Sequence, residues 1–195
     1  MSQETPSSPS GPSFTLVTGN RNKLLEAERI LGYPLKSHDI DLPEIQSLDL
    51  MEVLRAKGAE AWNRLGTPVV VEETGFELEA MNGFPGPLVK WMLEAVGAEG
   101  IASTAHALGN PRAVARCGLL YRDGDHEVLA EGTTRGVLVV QPRGAGGFGW
   151  DPVFVPDGEL RTCAELDPEE KDDLGHRGRA WRALGRSLAK GGEAS

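Results

Sequence analysis

The chain has little cysteine, few aromatic residues and no long apolar run. Its two cysteines, Cys117 and Cys163, are too few for a disulfide framework or a cysteine-rich zinc site. We therefore expect both to be ordinary buried thiols. No apolar stretch is long enough to cross a bilayer, and the first residues lack the basic and apolar segments of a signal peptide. These absences predict a cytoplasmic protein with no membrane partner.

Positively charged residues are also in the minority. The 195 residues include 20 Lys and Arg against 29 Asp and Glu, for a formal net charge of −9. A protein that coats DNA, RNA or an anionic membrane needs a basic surface, so this balance argues against nucleic-acid partners. A small phosphorylated ligand stays compatible with it, because such a ligand needs only a few cations in one place.

The composition divides the chain into one domain and two short ends. Residues 1–13 are rich in serine and proline, which is typical of a disordered tail. A single domain is expected over 14–190, since its length suits one hydrophobic core. A flexible C-terminus is expected over 191–195.

The apolar pattern predicts the fold class. Strand-like and helical patterns alternate at first, and residues 69–71 form an all-valine run typical of a strand buried on both faces. A helix is expected around 89–96. From about 113 to 140 the pattern is strand-like, with a turn expected at Gly132. Alternating elements followed by consecutive strands predict an α/β or α+β fold with a mixed sheet.

One polar string lies between the first predicted strand and the first predicted helix. A helix start at this point offers free backbone N–H groups and the positive end of the helix dipole, which together form an anion site. A lysine in the first turn, where acidic residues are preferred, would be explained by a bound phosphate. Alternatively, the asparagine caps the helix and the lysine faces solvent. The string consists of Thr18, Gly19, Asn20, Arg21, Asn22 and Lys23.

Two adjacent carboxylates, Glu72 and Glu73, come directly after the apolar strand. Ligands bind at strand ends in α/β sheets, and a magnesium ion takes one or two carboxylates together with substrate phosphates. Glu44 is a third candidate ligand on a loop, although taken alone it is better explained as an exposed side chain. Lys57 flanks the apolar face of a predicted helix, where it could enter a cleft or reach solvent.

Two further segments offer groups for a base. In the glycine-rich string over 146–152, Phe148 and Trp150 present ring planes, and Asp151 presents hydrogen-bond acceptors. Buried core aromatics are the more common fate of such a string. His176 and Arg177 open the last predicted helix at a turn, from which their side chains can reach a ligand carbonyl.

Four strings, in this order, resemble the inosine triphosphate pyrophosphatase family, also called the XTP/dITP diphosphatases. The resemblance covers the chain from about residue 14 to 188. The strings are TGNRNKLLEAE (18–28), VEETGFELEAMNGFPGP (71–87), GGFGWDPVF (146–154) and EEKDDLGHRGRA (169–180).

The resemblance implies an elongated, two-lobed α/β fold with a central mixed sheet flanked by helices and a deep nucleotide cleft. It also implies a homodimer that depends on Mg²⁺, with Mn²⁺ as a substitute. The implied reaction hydrolyses deaminated purine nucleoside triphosphates (ITP, dITP and XTP) to the monophosphate and pyrophosphate, which cleanses the nucleotide pool.

Carried over by residue, the resemblance places the triphosphate on 18–23 and Lys57. It assigns the metal to Glu44, Glu72 and Glu73, and places Glu73 at the position of the general base. The remaining substrate contacts that it implies are Thr74, Phe148, Gly149, Trp150, Asp151, Lys171, His176 and Arg177.

Three positions depart from the family pattern, one of them Val53, where the bacterial members have asparagine. The family usually has aspartate where this chain has Glu73, and serine where it has Gly175, a change expected to loosen the turn before His176. These departures motivate one alternative, a nucleotide-binding module with weak catalysis. The other alternative is the same fold acting on other modified nucleoside triphosphates.

Overall fold

A computed structural model describes residues 13–191. The predicted tail over 1–13 and the predicted flexible end over 191–195 therefore lie outside the described residues, except at Ser13 and Gly191. Within the described range, no helix combines the length and the apolar composition needed to cross a bilayer.

Residues 13–191 form seven strands and five α-helices. The strands are β1 (Thr15–Val17), β2 (Lys36–His38), β3 (Val69–Leu78), β4 (Pro85–Gly86), β5 (Arg112–Asp123), β6 (His126–Leu138) and β7 (Phe154–Pro156). The helices are α1 (Arg21–Leu31), α2 (Leu50–Leu65), α3 (Val89–Ala107), α4 (Pro168–Leu174) and α5 (His176–Gly191).

The strands build one mixed sheet in the order β2-β1-β3-β5-β6-β7, with β4 added to β3. Strand β1 runs parallel to both β2 and β3. The long strands β3, β5 and β6 form an antiparallel meander, and β7 pairs antiparallel with β6. The predicted α/β class with a central mixed sheet flanked by helices is confirmed.

One edge of β3 is interrupted. Strand β5 pairs with β3 along its whole length, from Val69 to Leu78. On the opposite edge, β1 pairs only with Val69–Val71 and β4 only with Phe76 and Glu77. On this second edge, residues 72–75 lie between β1 and β4, and no strand within 13–191 pairs with them there. This open edge lies between the two halves of the molecule.

Hydrophobic cores on either side of the open edge define two lobes. Helix α3 and β7 pack over the far end of β3 through Phe76 and Phe154. At the other end, α1 and α5 cover one face of the sheet around Trp181. Helix α2 covers the opposite face through Leu54 and Leu120. The long strands connect both lobes.

Both cysteines are buried and free, as expected. Burial is the largest cause that raises the pKa of Cys163 to about 12, and burial also raises the pKa of Cys117 well above its usual range. Neither thiol is a nucleophile near neutral pH, since the thiolate is the reactive form.

Three expectations about the elements need correction. Strand β3 does not end at Val71 but continues through Glu72 and Glu73 to Leu78. Gly132 is not a turn, because it lies inside β6. A Cβ at Gly132 would lie 2.1 Å from the carbonyl oxygen of His176, so the glycine lets α5 approach the sheet.

The third correction concerns α3, which extends past the predicted end near residue 96 to Ala107. The helical backbone breaks at Gly97, where φ is 69°. The expected segment is therefore the first half of a longer, kinked helix.

Candidate functional site

A cleft of about 770 Å³ opens at the interrupted edge of β3 and is lined by both lobes. It gathers nearly all of the predicted site residues, whereas Arg21 and Asn22 are exposed on α1 and do not line it. The predicted residues that line the cleft are Thr18, Gly19, Asn20, Lys23, Glu44, Lys57, Glu72, Glu73, Thr74, Phe148, Gly149, Trp150, Asp151, Lys171, His176 and Arg177.

The loop before α1 is a capped helix start. The Asn20 side chain accepts hydrogen bonds from the backbone N–H groups of Asn22 and Lys23, at 3.0 and 3.2 Å. The N–H of Asn20 donates to Thr18 Oγ1 at 3.1 Å. The side chains of the loop therefore already accept from these N–H groups, which were predicted to be free for an anion.

Glu72 and Glu73 point to opposite faces of β3, because successive side chains alternate along a strand. On one face, Glu72 Oε1 accepts from Arg177 Nε at 3.0 Å and lies 3.4 Å from Lys23 Nζ. On the other face, Glu73 Oε2 accepts from Lys57 Nζ at 2.7 Å. Lys23 in the first turn of α1 thus has a partner inside the protein.

Lys57 lies in the cleft and does not extend to solvent. Its Nζ atom also donates to Glu44 Oε1 at 3.0 Å, so one ammonium joins two carboxylates. Burial works to lower the pKa of Lys57, but the charges of Glu73 and Glu44 outweigh it and raise that pKa. For Glu44, burial works to raise the pKa, and the charges of Lys57, Lys90 and Lys23 lower it.

The carboxylates suit a hard cation only in part. Glu44 and Glu73 have oxygens close enough to share one ammonium, and Glu72 Oε2 is buried with no hydrogen-bond partner among the described residues. Within 13–191, however, no three His, Cys, Asp or Glu side chains form a ready-made metal site. Magnesium bound here would need further oxygen atoms from water or a phosphate.

A network of buried charges forms the other end of the cleft. Lys171 Nζ donates to Glu26 Oε1 at 2.8 Å and to Asp151 Oδ2 at 2.7 Å. Arg177 donates to Glu72 through Nε and to Glu26 through Nη1. Helices α1, α4 and α5 and strand β3 are thus tied together at one point.

Each charge in this network is stabilised by its partners. Burial works to raise the pKa of Glu26, yet the charges of Arg177 and Lys171 lower it. Burial works to lower the pKa of Lys171, and Asp151 and Glu26 raise it. The pKa of Arg177 is raised by Glu72 and Glu26 against the same effect of burial. The two cations therefore stay charged near neutral pH.

The two aromatic residues of the glycine-rich string have different surroundings. Trp150 lines the cleft but belongs to the core, where it stacks on Phe76 with ring centroids 4.6 Å apart. Lys171 Nζ and Arg177 Cζ lie 4.9 and 5.4 Å from the ring centroid of Phe148. Phe148 therefore presents a ring bordered by donors, a setting suited to a base that carries carbonyl oxygens.

His176 is buried beside Trp150, with ring centroids 6.1 Å apart, and its Nε2 has no hydrogen-bond partner among the described residues. Burial, followed by the positive charges of Arg177, Lys171 and Lys23, lowers the pKa of His176 well below its usual range. The neutral ring leaves one polar nitrogen that a ligand in the cleft can satisfy.

This depressed pKa predicts acid-sensitive folding. Unfolded His176 takes up a proton near pH 6.5 and the folded residue does not, so unfolding gains a proton below that pH. Stability should be full above pH 6.5 and fall by up to about 1.4 kcal/mol per pH unit below it. Urea unfolding at pH 7.5, 6.5 and 5.5 should show this slope, which His176→Gln removes. The exposed His126 provides the control; equal slopes in His126→Gln and His176→Gln would contradict the assignment.

The turn at Gly175 is tight, contrary to the expected loosening. Its N–H donates to the carbonyl of Lys171 at 2.8 Å, which closes the end of α4. A Cβ at this position would lie 2.5 Å from that same carbonyl oxygen. The glycine permits a close turn that holds His176 and Arg177 beside Lys171.

Two residues of the site, Glu26 and Lys90, are not among those predicted from the sequence. Glu26 lies three positions after Lys23 on α1, and this helical spacing was a usable signal. Lys90 lines the cleft from the first turn of α3, where a lysine is as unusual as Lys23 is in α1. Among the described lysines and arginines of the cleft, Lys90 is the one without a carboxylate partner.

Comparison with known proteins assigns the chain to a family. Residues 14–187 match the Ham1 family. The inosine triphosphate pyrophosphatase of Batrachochytrium dendrobatidis is 42% identical over 173 residues, which cover 86% of this chain and 90% of that protein. The protein of the same name from Schizosaccharomyces pombe is 42% identical over 169 residues, covering 85% of this chain and 89% of that protein.

Solved structures agree. The HAM1 protein from Coxiella burnetii is similar with a TM-score of 0.77 and 25% identity, over 91% of this chain and 100% of that chain. The dITP/XTP pyrophosphatase from Mycobacterium abscessus has a TM-score of 0.68 and 32% identity, over 88% of this chain and 98% of that chain. The family resemblance expected from the four strings is confirmed, and the chain belongs to the Ham1 family.

Proposed function

We propose that the chain hydrolyses deaminated purine nucleoside triphosphates, namely ITP, dITP and XTP, to the monophosphate and pyrophosphate. One observation carries the proposal. A single cleft joins a region of lysines and carboxylates, around Lys57 and Glu73, to a buried pocket of donors, around Lys171 and Arg177. The relatives named inosine triphosphate pyrophosphatase support the same reaction.

The donor pocket explains a preference for 6-oxo purines over adenine. Lys171, Arg177 and one tautomer of His176 can all donate a hydrogen bond to the 6-oxo group of hypoxanthine or xanthine. Adenine presents an amino group at that position, so its binding would leave buried donors unpaired. The stacking face of Phe148 lies next to these donors and orients the base.

The other end of the cleft suits the triphosphate. Lys23, Lys57 and Lys90 reach it from α1, α2 and α3, which lets both lobes contact the phosphates. Oε1 of Glu73 accepts from the N–H of Thr74 at 3.1 Å, which orients the carboxylate. As general base, Glu73 takes a proton from the attacking water.

We propose Mg²⁺ as the cofactor, with Mn²⁺ as a substitute, held by Glu44 and Glu73. Glu72 faces away from these two and contributes its unpartnered Oε2 only if its side chain turns. When bound, the cation neutralises phosphate charge so that water can approach. The proposal includes the homodimer that the family resemblance implies and the cytoplasmic location expected from the sequence.

The test is pyrophosphate release from ITP, dITP, XTP, ATP and GTP, with Mg²⁺ and with EDTA. We expect release from the first three only, and loss of that release in EDTA. Binding of ITP without release would favour a nucleotide-binding module. Release only from other modified nucleotides would favour the same fold with a different substrate.

A further inference from the structure

Lys57 is placed where a cation for the phosphates would be expected. Its side chain is 14% exposed and stands between two carboxylates from different segments, Glu44 on a loop and Glu73 on β3. Nζ lies 3.0 Å from the Glu44 carboxylate and 2.7 Å from the Glu73 carboxylate, so both contacts are direct ion pairs. One ammonium thus neutralises part of the charge of both.

A divalent ion that bridged Glu44 and Glu73 through Oε1 and Oε2, respectively, would use the same two oxygens as Lys57. Magnesium binds carboxylate oxygens at about 2.0 to 2.1 Å, so it must enter the space between them. An ammonium already in hydrogen-bond contact with both oxygens occupies that space, and two cations repel each other there. An ion in this bridging position and the Lys57 ammonium would therefore exclude each other.

The remainder of the site gives a free ion little compensation. No group of three His, Cys, Asp or Glu side chains within 13–191 is arranged to hold a metal. A magnesium ion typically combines one or two carboxylates with substrate phosphates, which supply the missing oxygens. Phosphates would also give Lys57 a new anionic partner, and its flexible stem carries three donors that can reach one.

We propose that Lys57 keeps free divalent metal out of the cleft and admits it only together with a nucleotide, whose phosphates draw the ammonium away from Glu44 and Glu73. The inference rests on the proposed pyrophosphatase function. It makes binding of metal and nucleotide mutually dependent, because each supplies what the other needs to displace the internal ion pairs.

The test measures Mn²⁺ alone, by electron paramagnetic resonance of the free ion, on the full chain without nucleotide. Wild type should bind Mn²⁺ weakly, and Lys57→Met should bind it at least about tenfold more tightly. In EDTA, Lys57→Met should melt at a lower temperature than wild type, because two carboxylates lose their partner. Mn²⁺ should restore the melting temperature of the variant and leave that of wild type unchanged.

Lys90→Met is the matched control, since it removes one positive charge from the same cleft but leaves the Lys57 pairs intact. If Lys90→Met increased the affinity for Mn²⁺ as much as Lys57→Met does, the net charge of the cleft would explain the effect. That result would overturn the proposal. So would tight Mn²⁺ binding by wild type, or no tightening in Lys57→Met. Lys57→Gln repeats the measurement if the methionine variant does not fold.

A second measurement adds α,β-methylene-ITP, which the enzyme cannot cleave between those phosphates. Wild-type affinity for Mn²⁺ should rise by an order of magnitude or more with this analogue, and Lys57→Met should show much less gain. Equal gains in both proteins would contradict the proposal. Failure of the proposed function appears separately, as absence of pyrophosphate release by wild type with Mg²⁺.

Discussion

Glu73→Gln should reduce pyrophosphate release from ITP by about a thousandfold while leaving binding of the metal-free nucleotide largely intact. The amide keeps the size of the side chain but cannot take a proton from water, and general-base catalysis contributes about 10² to 10⁴-fold. The change also removes one anionic partner of Lys57. Steady-state rates with Mg²⁺, together with the Kd of a non-cleavable ITP analogue measured in EDTA, separate catalysis from nucleotide binding.

Glu77→Gln is the control for this loss. Glu77 lies on the same face of β3, four residues further on, but pairs with Arg116 outside the cleft. We expect this variant to retain activity within a few fold. A Glu73→Gln variant that keeps a tenth or more of the wild-type rate would show that another group takes the proton.

The largest effect on stability is expected from Arg177→Met. The Arg177 side chain is 5% exposed and pairs with Glu72 and Glu26, which are themselves 1% and 10% exposed. Removal of the arginine leaves Glu26 with Lys171 alone and Glu72 with Lys23 alone, at 3.4 Å. The loss of a partner by two buried carboxylates costs about 3–5 kcal/mol. The melting temperature should fall by about 10 °C for a chain of this size. Urea unfolding at pH 7.5 measures the free energy directly.

Two comparisons identify the cause of this loss. Arg112→Met removes an exposed pair with Asp157 and should cost less than about 1 kcal/mol. Glu72→Gln added to Arg177→Met removes the more deeply buried of the two carboxylates that lost the arginine and should restore part of the stability. If the double variant were less stable than Arg177→Met, lost packing and not unpaired charge would explain the effect.

The sequence predicted the residues of the site better than their pairing. The strings around Lys23, Glu73 and Arg177 marked positions that do line one cleft. The contact between Lys171 and Glu26 joins residues 145 positions apart, and no local pattern encodes it. Local sequence patterns therefore predicted solvent or a ligand as the partner of side chains such as Lys23 and Lys171. In the structure these side chains pair with Glu72 and Glu26.

The end of β3 was predicted wrongly for the same reason, because a distant residue determines it. Apolar residues predict a buried strand, and the pattern stops at Val71, so the strand was expected to stop there. The chain buries Glu72 nevertheless, because Arg177 arrives from a distant helix to neutralise it. That a charged residue continues a buried strand can be predicted only when the residue that neutralises it is known.

The open edge of β3 also restricts how the chain can change in length. The strand is one continuous ladder with β5, and Glu72 and Glu73 serve opposite faces of it. Insertion or deletion of a single residue between Val71 and Phe76 would move each following side chain to the opposite face of the sheet. Phe76 would then point away from the core that it now fills. Loops of this protein can therefore accept added or lost residues during evolution, whereas the segment crossing the cleft must keep a constant number of them.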